Sequence, residues 1–362
     1  MPDSIESAPP PGGDLLGTDR PAIGRIVRDM GERSYHAAQI YRWIYTRRAA
    51  SFDAMSDLPR PLRRRLAQRF TLRRPEPLAV QQSADGTRKY LFGGFAGGSF
   101  EAVLIPEPSR VTFCVSPQIG CALDCAFCLT AQLGLVRNLT AGEIVGQVLC
   151  LMEDAGTGPG GRPVNIVLMG MGEALHNYDA SLQAVRLMAD PGGMAIPRRR
   201  ITLSTAGMVP GIRRLGSEPV RPKLAVSLNA TTDEVRSRLM PINRRYPLGE
   251  LLDACAAFPL GPRERLTFEY VLLAGENDGP EDPRRLAGLL GRHRLRAKVN
   301  LIPFNPGGGL PWREPAADRA RAFRDDLVRL GVPASIRRNR GRDVSAACGQ
   351  LALSGPPPAA PD

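Results

Sequence analysis

The stretch Thr112-Phe-Cys-Val-Ser-Pro-Gln-Ile-Gly-Cys121-Ala-Leu-Asp-Cys125-Ala-Phe-Cys128 holds the most informative pattern in this chain of 362 residues. Residues 112–116 are mostly apolar or β-branched and predict a strand. The three cysteines at 121, 125 and 128 follow on a short loop, with the spacing C-x3-C-x2-C. Cysteines clustered in this way indicate metal or catalytic chemistry rather than a framework of structural disulfides.

Three thiolates suit an iron–sulfur cluster better than a zinc ion. A structural zinc site normally has four protein ligands, and His36, His176 and His293 are remote from the cysteines in the sequence. Soft thiolates can instead hold three irons of a [4Fe–4S] cluster and leave the fourth iron open to another ligand. A zinc site completed by Cys114 or by a distant cysteine stays open as the alternative.

From this stretch to the C-terminus, predicted strands alternate with amphipathic helices. The strands are expected at residues 112–116, 164–169, 200–204, 223–228, 266–272, 299–303 and 335–338, and the helices include 141–154, 178–190, 250–257 and 318–330. The first of these helices begins with a capping-box spacing, Thr140 to Glu143. Such alternation predicts an α/β fold with a parallel sheet. Because no dinucleotide-binding glycine fingerprint is present, we expect a partial (β/α)6-type barrel with its chemistry at the carboxyl ends of the strands.

The region before the barrel has a different composition. Residues 20–74 contain 14 arginines, no lysine and four acidic residues. One apolar stripe at helical spacing is predicted there, formed by Ala37, Ile40, Tyr41, Ile44 and Tyr45. A pair of strands is expected near 89–92 and 100–105. The chain is therefore divided into a disordered N-terminus (1–19), a helical accessory domain (20–95), the barrel with a C-terminal segment that contains Cys348 (96–353) and a disordered tail (354–362).

The net charge of +12 indicates a polyanionic partner, although a solvated arginine-rich helix face explains part of it equally well. Phosphate groups of a nucleic acid are expected at the run Arg63-Arg64-Arg65 in the accessory domain and at Arg337, Arg338, Arg340 and Arg342. The aromatic residues Tyr35, Tyr41, Trp43 and Tyr45 either stack on bases or belong to the core. No apolar run is long enough to span a membrane and the N-terminus does not resemble a signal peptide, so we expect a cytoplasmic protein.

The cysteine stretch, continuing through Gly134 to Arg137-Asn-Leu-Thr140, resembles the radical S-adenosylmethionine (SAM) superfamily. It is most similar to the dual-specificity RNA adenine-C2 methyltransferases, which act on 23S rRNA and tRNA, and the likeness runs from about residue 17 to Leu353. The resemblance implies that Cys121, Cys125 and Cys128 hold a [4Fe–4S] cluster whose fourth iron SAM chelates. It also implies methylation at C2 of an adenine in 23S rRNA and of the adenine beside the anticodon in tRNA.

The same resemblance assigns residues at the ends of predicted strands to SAM. They are Gly172, Glu173, Ser204, Ser227, Leu228, Asn229 and Asn305. Two positions depart from the family pattern, since Ala174 replaces a usual proline and relatives often have histidine at the position of Asn229. Taken singly, small polar residues after strands are typical of turns, but together and in order they indicate a binding edge.

Three further residues receive catalytic roles from the resemblance. Cys348 is the methyl acceptor from one SAM, and a second SAM is cleaved to a 5′-deoxyadenosyl radical that activates this methyl group for addition to the base. Cys114 then releases the product through a transient disulfide with Cys348, and Glu101 is the proton acceptor. A flavodoxin- or ferredoxin-type electron donor and a monomeric state are expected. Cys150 and Cys255 are predicted to be core residues.

Three other functions account for part of the sequence. A related resistance-type enzyme methylates C8 of the same rRNA adenine with the same cluster and cysteine pair. A zinc-binding, non-catalytic RNA module would need only the cysteine loop and the basic region. A radical SAM enzyme acting on a small substrate leaves Cys348 and the basic region without a role.

Overall fold

A computed structural model describes residues 13–157 and 161–353, and within these residues twelve strands form two sheets. The strands are β1 (Pro77–Gln82), β2 (Arg88–Gly93), β3 (Ser99–Glu107), β4 (Arg110–Cys114), β5 (Gln118–Gly120), β6 (Leu135–Asn138), β7 (Val164–Leu168), β8 (Ile201–Thr205), β9 (Lys223–Ser227), β10 (Leu266–Leu272), β11 (Ala297–Pro303) and β12 (Ala334–Ile336). The α-helices are α1 (Arg20–Asp29), α2 (Tyr35–Tyr45), α3 (Arg60–Arg69), α4 (Leu129–Gln132), α5 (Ala141–Asp154), α6 (Tyr178–Ala189), α7 (Val209–Gly216), α8 (Asp233–Leu239), α9 (Leu248–Ala256), α10 (Asp282–Arg292) and α11 (Ala317–Arg329).

The larger sheet has ten strands in the order β1-β2-β3-β4-β7-β8-β9-β10-β11-β12. From β4 to β12 each neighbouring pair is parallel, and helices make the connections. β1 to β4 extend one side of this sheet as an antiparallel meander. The predicted α/β fold with a parallel sheet and crossover helices is therefore confirmed, with the carboxyl ends of the parallel strands on one edge.

Several element boundaries agree with the sequence analysis, and others differ. The strand at 266–272 and the helix at 141–154 match β10 and α5. The capping box is present, because Glu143 N–H donates to Thr140 Oγ1 (3.1 Å) and Thr140 N–H donates to Glu143 Oε2 (2.9 Å). β1 and the β5–β6 hairpin were not predicted, since they are short or carry polar residues along one side.

The division placed at residue 95 crosses a continuous sheet, because β1 and β2 lie before it and pair onward to β3. Residues 13–19 are packed rather than disordered: Leu15 and Leu16 are buried, and Leu15 N–H donates to Thr71 O (2.9 Å). The predicted disorder of residues 1–12 and 354–362 lies outside the described residues.

The helical region from α1 to α3 packs on the barrel through the predicted apolar stripe, all of whose members are buried. Tyr41 Oη donates to Asp190 Oδ2 (2.8 Å), and Tyr45 Oη donates to Thr18 O (2.8 Å). These two tyrosines therefore belong to the core and not to a base-stacking surface, whereas Tyr35 is 52% exposed. None of the described helices is long and apolar enough to cross a membrane.

Candidate active site

The three cysteines lie on the loop that the β5–β6 hairpin encloses. Cys121 N–H donates to Gly134 O (2.9 Å). Gly120 has a positive φ of 72°, and a Cβ there would lie 1.8 Å from Gly134 O. Only glycine fits at this position, because a side chain would push the hairpin apart just before the first cysteine. The loop geometry is thus set by backbone packing on both sides of Cys121.

The thiols of this loop lie within electrostatic reach of one another. Burial raises the pKa of Cys121 to about 11, with Cys128 adding to it, and burial together with both neighbouring thiols raises the pKa of Cys125 further. Leu123 and Phe127 pack with Cys125 against a small apolar cluster around Phe304. Within the described residues no three His, Cys, Asp or Glu side chains are placed to hold one metal ion.

This donor set fits an iron–sulfur cluster. Three soft thiols share one loop, their wall is apolar, and each can bind a different iron rather than all three binding one ion. Their raised pKa values mean that a bound metal must drive their deprotonation, as metal sites with thiolate ligands do.

The C-terminal segment that carries Cys348 lies directly against the cysteine loop. Leu129 N–H, next to Cys128, donates to Gly349 O (2.9 Å), and Thr130 Oγ1 donates to Leu351 O (2.6 Å). These bonds join residues more than 200 positions apart in the sequence. As a result, the residues that follow Cys128 and Cys348 are hydrogen-bonded neighbours.

Cys114 ends β4 and is electrostatically coupled to Cys348. Burial raises the pKa of Cys114 to about 12, with Cys348 as the next cause, while Arg337 lowers it. The Cys348 side chain is accessible to solvent on one side, but protein crowds it elsewhere and raises its pKa to about 11, with Glu269 and Cys128 contributing. The structure thus brings Cys114, Cys348 and the cysteine loop together, as the sequence analysis expected.

Glu101 lies in β3 with no solvent exposure and holds the same C-terminal segment. Its Oε1 lies 3.1 Å from Lys89 Nζ, in an ion pair that is buried on both sides. Its Oε2 accepts hydrogen bonds from the N–H groups of Ala352 (3.0 Å) and Leu353 (3.2 Å). The carboxylate therefore fixes the chain four residues after Cys348, and its predicted role as a proton acceptor stays a prediction.

Gly172 and Glu173 follow β7 at the carboxyl edge of the sheet. Gly172 has a φ of 95°, and a Cβ there would lie 2.4 Å from Gln118 Cβ. The Glu173 carboxylate accepts from Leu175 N–H (3.0 Å) and Ala206 N–H (2.7 Å), and burial raises its pKa to about 6. Glu173 thus ties the ends of β7 and β8 together and also lies within electrostatic reach of Cys121 and Cys125.

The remaining residues assigned to SAM differ in what they offer a ligand. Ser204 and Ser227 are half-buried on β8 and β9. Leu228 is fully buried and its backbone is engaged within the protein, because its N–H donates to Glu269 O (2.9 Å) and its carbonyl oxygen accepts from Arg236 Nε (3.0 Å). The side chain of Asn229 is engaged by the protein, since its Oδ1 accepts from Val271 N–H (2.8 Å) and its φ is positive at 58°. Asn305 donates to Cys348 O (3.4 Å), and its buried Oδ1 has no hydrogen-bond partner.

Sequence reasoning missed Arg236, the largest fully buried side chain of the described residues. From α8 its guanidinium donates to Leu228 O (3.0 Å), Ala206 O (2.7 Å), Ser227 O (3.2 Å) and Asn243 Oδ1 (2.9 Å). It therefore connects the carboxyl ends of β8 and β9, where the predicted SAM residues lie. No sequence signal separates it from the many surface arginines.

Glu269 was also missed. Phe268 and Tyr270 face the helices, so Glu269 faces the opposite side of β10, in register with Ser227 and Asn300. Its Oε1 accepts from Asn300 Nδ2 (2.9 Å), while its buried Oε2 has no hydrogen-bond partner, and it acts electrostatically on Cys348. A single charged residue inside the apolar strand at 266–272 is the signal that marks it.

The arginines predicted to contact RNA are partly engaged within the protein. Arg63 donates to Asp53 O (2.6 Å), and Arg65 forms an ion pair with Glu32. Near the C-terminus, Arg340 and Arg342 pair with Asp85 (3.4 Å) and Glu314 (2.7 Å), respectively. Arg337 alone among these is electrostatically coupled to Cys114 and Cys348.

Comparison with known proteins gives the family. Residues 13–72 match the model of the ribosomal RNA large subunit methyltransferase N-terminal domain, and residues 115–287 match that of the radical SAM superfamily. The chain is 49% identical to dual-specificity RNA methyltransferase RlmN of an Anaeromyxobacter species, over 96% of this chain and 93% of that protein. It is 51% identical to the protein of the same name from Syntrophobacter fumaroxidans, over 91% and 95% of the two chains.

A solved structure agrees with this result. The crystal structure of a radical SAM methyltransferase from Sphaerobacter thermophilus superimposes with a TM-score of 0.88 at 45% identity, covering 93% of this chain and 98% of that one. The chain therefore belongs to the RlmN family of dual-specificity RNA methyltransferases, within the radical SAM superfamily.

Proposed function

We propose that this enzyme adds a methyl group to C2 of a specific adenine in 23S rRNA and of the adenine beside the anticodon in tRNA. The family assignment supports RNA as the substrate, and the superfamily uses a [4Fe–4S] cluster and SAM. The observation that carries the proposal is the Leu129 N–H to Gly349 O hydrogen bond of 2.9 Å, which sets the Cys348 segment beside the cysteine loop. A non-catalytic, zinc-binding RNA module would not require the Cys348 segment to lie beside the cysteine loop.

Cys121, Cys125 and Cys128 would hold the cluster, which supplies the electron for reductive cleavage of SAM. Around it, the backbone at Gly172, the hydroxyl groups of Ser204 and Ser227 and the free Oδ1 of Asn305 would contact SAM, while Leu228 would hold the end of β9 in place. Glu173 and Asn229 would act mainly by shaping the loops, because backbone N–H groups already occupy their side-chain oxygens. We propose that two SAM molecules are used in each turnover.

Adenine C2 is electron-poor and does not attack SAM as a nucleophile. The methyl group would therefore reach C2 through a covalent bond to Cys348. Its thiolate attacks the methyl carbon of one SAM, so that a new carbon–sulfur bond forms, the bond from that carbon to the sulfonium sulfur breaks and S-adenosylhomocysteine leaves. Burial raises the pKa of this thiol. The nearby guanidinium of Arg337 opposes that rise and favours the thiolate.

The methylene carbon of Cys348, formed when the 5′-deoxyadenosyl radical from the second SAM removes a hydrogen atom from the methyl group, would bond to C2. Glu101 would accept the proton from C2, and the electron used for SAM cleavage would be returned. The Cys114 thiolate would then attack the Cys348 sulfur, so that the disulfide forms, the carbon–sulfur bond breaks and the released carbon takes up a proton to complete the methyl group. A flavodoxin- or ferredoxin-type protein would supply electrons.

Mass spectrometry of nucleosides from RNA treated with the reconstituted enzyme tests the proposal. Wild-type protein is expected to give 2-methyladenosine, and Cys348→Ala to give none while retaining its iron and sulfide. Cys114→Ala is expected to accumulate an RNA–protein adduct. Cys150→Ala, at a half-buried cysteine of α5 outside the site, is the matched control and should retain product formation. An 8-methyladenosine product would select the C8 alternative, and turnover by Cys348→Ala would exclude the covalent route.

A further inference from the structure

A cleft of about 670 Å³ lies between α2 and the amino ends of β7 and β8, at the opposite edge of the sheet from the cysteine loop. β7 separates the cleft from Gly172 by its full length, which is roughly 15 Å for a strand of this size. Five arginine side chains line it: Arg20, Arg42, Arg48, Arg162 and Arg200. None of the residues assigned above to SAM or to catalysis belongs to this cleft.

Within the described residues the charge of these arginines is only weakly offset, because Glu153 acts on Arg48 from beyond ion-pair distance. Eighteen other arginines of the described residues form ion pairs, but none of the five lies within 4.0 Å of a carboxylate. Arg48 donates to Thr157 O (2.6 Å) and Arg200 to Asn165 Oδ1 (3.3 Å), so neutral acceptors orient both. Clustered guanidinium groups repel one another, and a bound polyanion would relieve that repulsion.

The walls of the cleft are fixed by tertiary bonds. Tyr41 Oη donates to Asp190 Oδ2 (2.8 Å), and Thr46 Oγ1 donates to Gly193 O (2.9 Å), which joins α2 to the segment after α6. The nearby Asp190 carboxylate also accepts from Gly192 N–H (2.7 Å). The lining tyrosines Tyr41 and Tyr45 are about 1% exposed, so the cleft offers charge and no stacking surface.

We propose that this arginine cleft binds the phosphodiester backbone of the substrate RNA, away from the base that reacts. The inference rests on the proposed function, since it names where the same RNA is held. The planar guanidinium group of arginine can donate two parallel hydrogen bonds to the oxygens of one phosphate. Contacts of this kind position an RNA without reading its sequence. The absence of exposed aromatic rings along the lining favours backbone over bases.

The test uses the full-length protein and a fluorescent transcript of the 23S rRNA segment that carries the target adenine. In one variant Arg20, Arg42 and Arg162 become glutamine together, because their side chains donate no hydrogen bond to the described residues. The matched control changes Arg321, Arg324 and Arg329 of α11 to glutamine and removes the same net charge. Binding is followed by anisotropy at several salt concentrations. Transfer of a labelled methyl group from SAM to Cys348 without RNA reports the catalytic centre separately.

The cleft variant is expected to bind RNA about tenfold more weakly at 0.1 M salt. The slope of log K against log salt should fall by about 2–3, since each lost phosphate contact contributes about 0.7–0.9. The control variant should bind like wild type, and all three proteins should methylate Cys348 equally. Replacing Arg20, Arg42 and Arg162 by lysine should restore most of the affinity, because the charge is kept.

Wild-type affinity and slope in the cleft variant would overturn the proposal. Equal weakening in both glutamine variants would also overturn it, because the effect would then follow net charge and not the cleft. Calorimetry with tripolyphosphate gives a further outcome. If the cleft variant loses tripolyphosphate binding while its RNA affinity is unchanged, the cleft binds a small phosphate ligand and the proposal for RNA is overturned. By contrast, wild-type protein that binds RNA normally but gives no methylated adenine would contradict the proposed function. That result would not affect the proposal that the cleft binds RNA.

Discussion

Arg236 offers the most direct test of how the strand ends are held at the active site. Its side chain is fully buried, and burial lowers its pKa to about 10, so it stays charged at neutral pH. The change Arg236→Met keeps an unbranched chain of similar length and removes every donor. Three backbone carbonyls, those of Ala206, Ser227 and Leu228, then lose a partner, together with Asn243 Oδ1.

The expected loss of stability follows from these contacts. A buried acceptor left without a donor costs about 1–3 kcal/mol, and such costs are only partly additive within one network. The Asn243 side chain can form other hydrogen bonds, so most of the cost comes from the three carbonyl groups. We therefore expect Arg236→Met to lower the free energy of unfolding by about 4 kcal/mol. Arg236→Lys retains the charge and at most part of the fork, so about half of that loss is expected.

Urea unfolding of the metal-free protein, followed by circular dichroism, measures both values. Arg238→Met is the matched control, because Arg238 lies two residues along α8 and forms an exposed ion pair with Glu276 (2.5 Å). This surface pair should contribute about 0.5 kcal/mol or less. A loss below about 1 kcal/mol for Arg236→Met, or an equal loss for both methionine variants, would refute the idea that Arg236 holds the strand ends.

Two further predictions concern the same site. Gly172→Ala is expected to destabilise the protein by about 1–3 kcal/mol, because its Cβ would meet Gln118 and its φ is positive. The same change should weaken SAM binding in a titration. Gly291→Ala is the control and should be neutral or stabilising, since a Cβ there would have nothing within 4 Å. Lys89→Met leaves the buried Glu101 carboxylate without its cation, at a cost of about 3–5 kcal/mol. Peptide mass spectrometry should then detect faster alkylation of Cys348, and unchanged alkylation would contradict the role of this ion pair in holding the segment. Arg88→Met, at a more exposed pair with Asp154, is its control.

Much of the fold could be predicted because periodicity is a local property. The apolar alternation of β10 and the capping box of α5 depend on neighbouring residues, and both were located correctly. β1 was missed because its residues are polar or exposed along most of its length, so its pairing with β2 depends on a partner strand and not on its own pattern. The packing of residues 13–19 was missed for the same reason, since Thr71 provides the partner.

The chemistry of the site divides in a similar way. The spacing of Cys121, Cys125 and Cys128 is local, so the sequence alone determined the cysteine loop and the resemblance that it carries. Only the tertiary structure placed Cys348 beside that loop, turned Arg236 into a buried connector and left Glu269 with one free carboxylate oxygen. Each of these depends on the burial of a polar group among residues distant in the chain. Burial arises from the packing of the whole fold, and a run of neighbouring residues does not encode it.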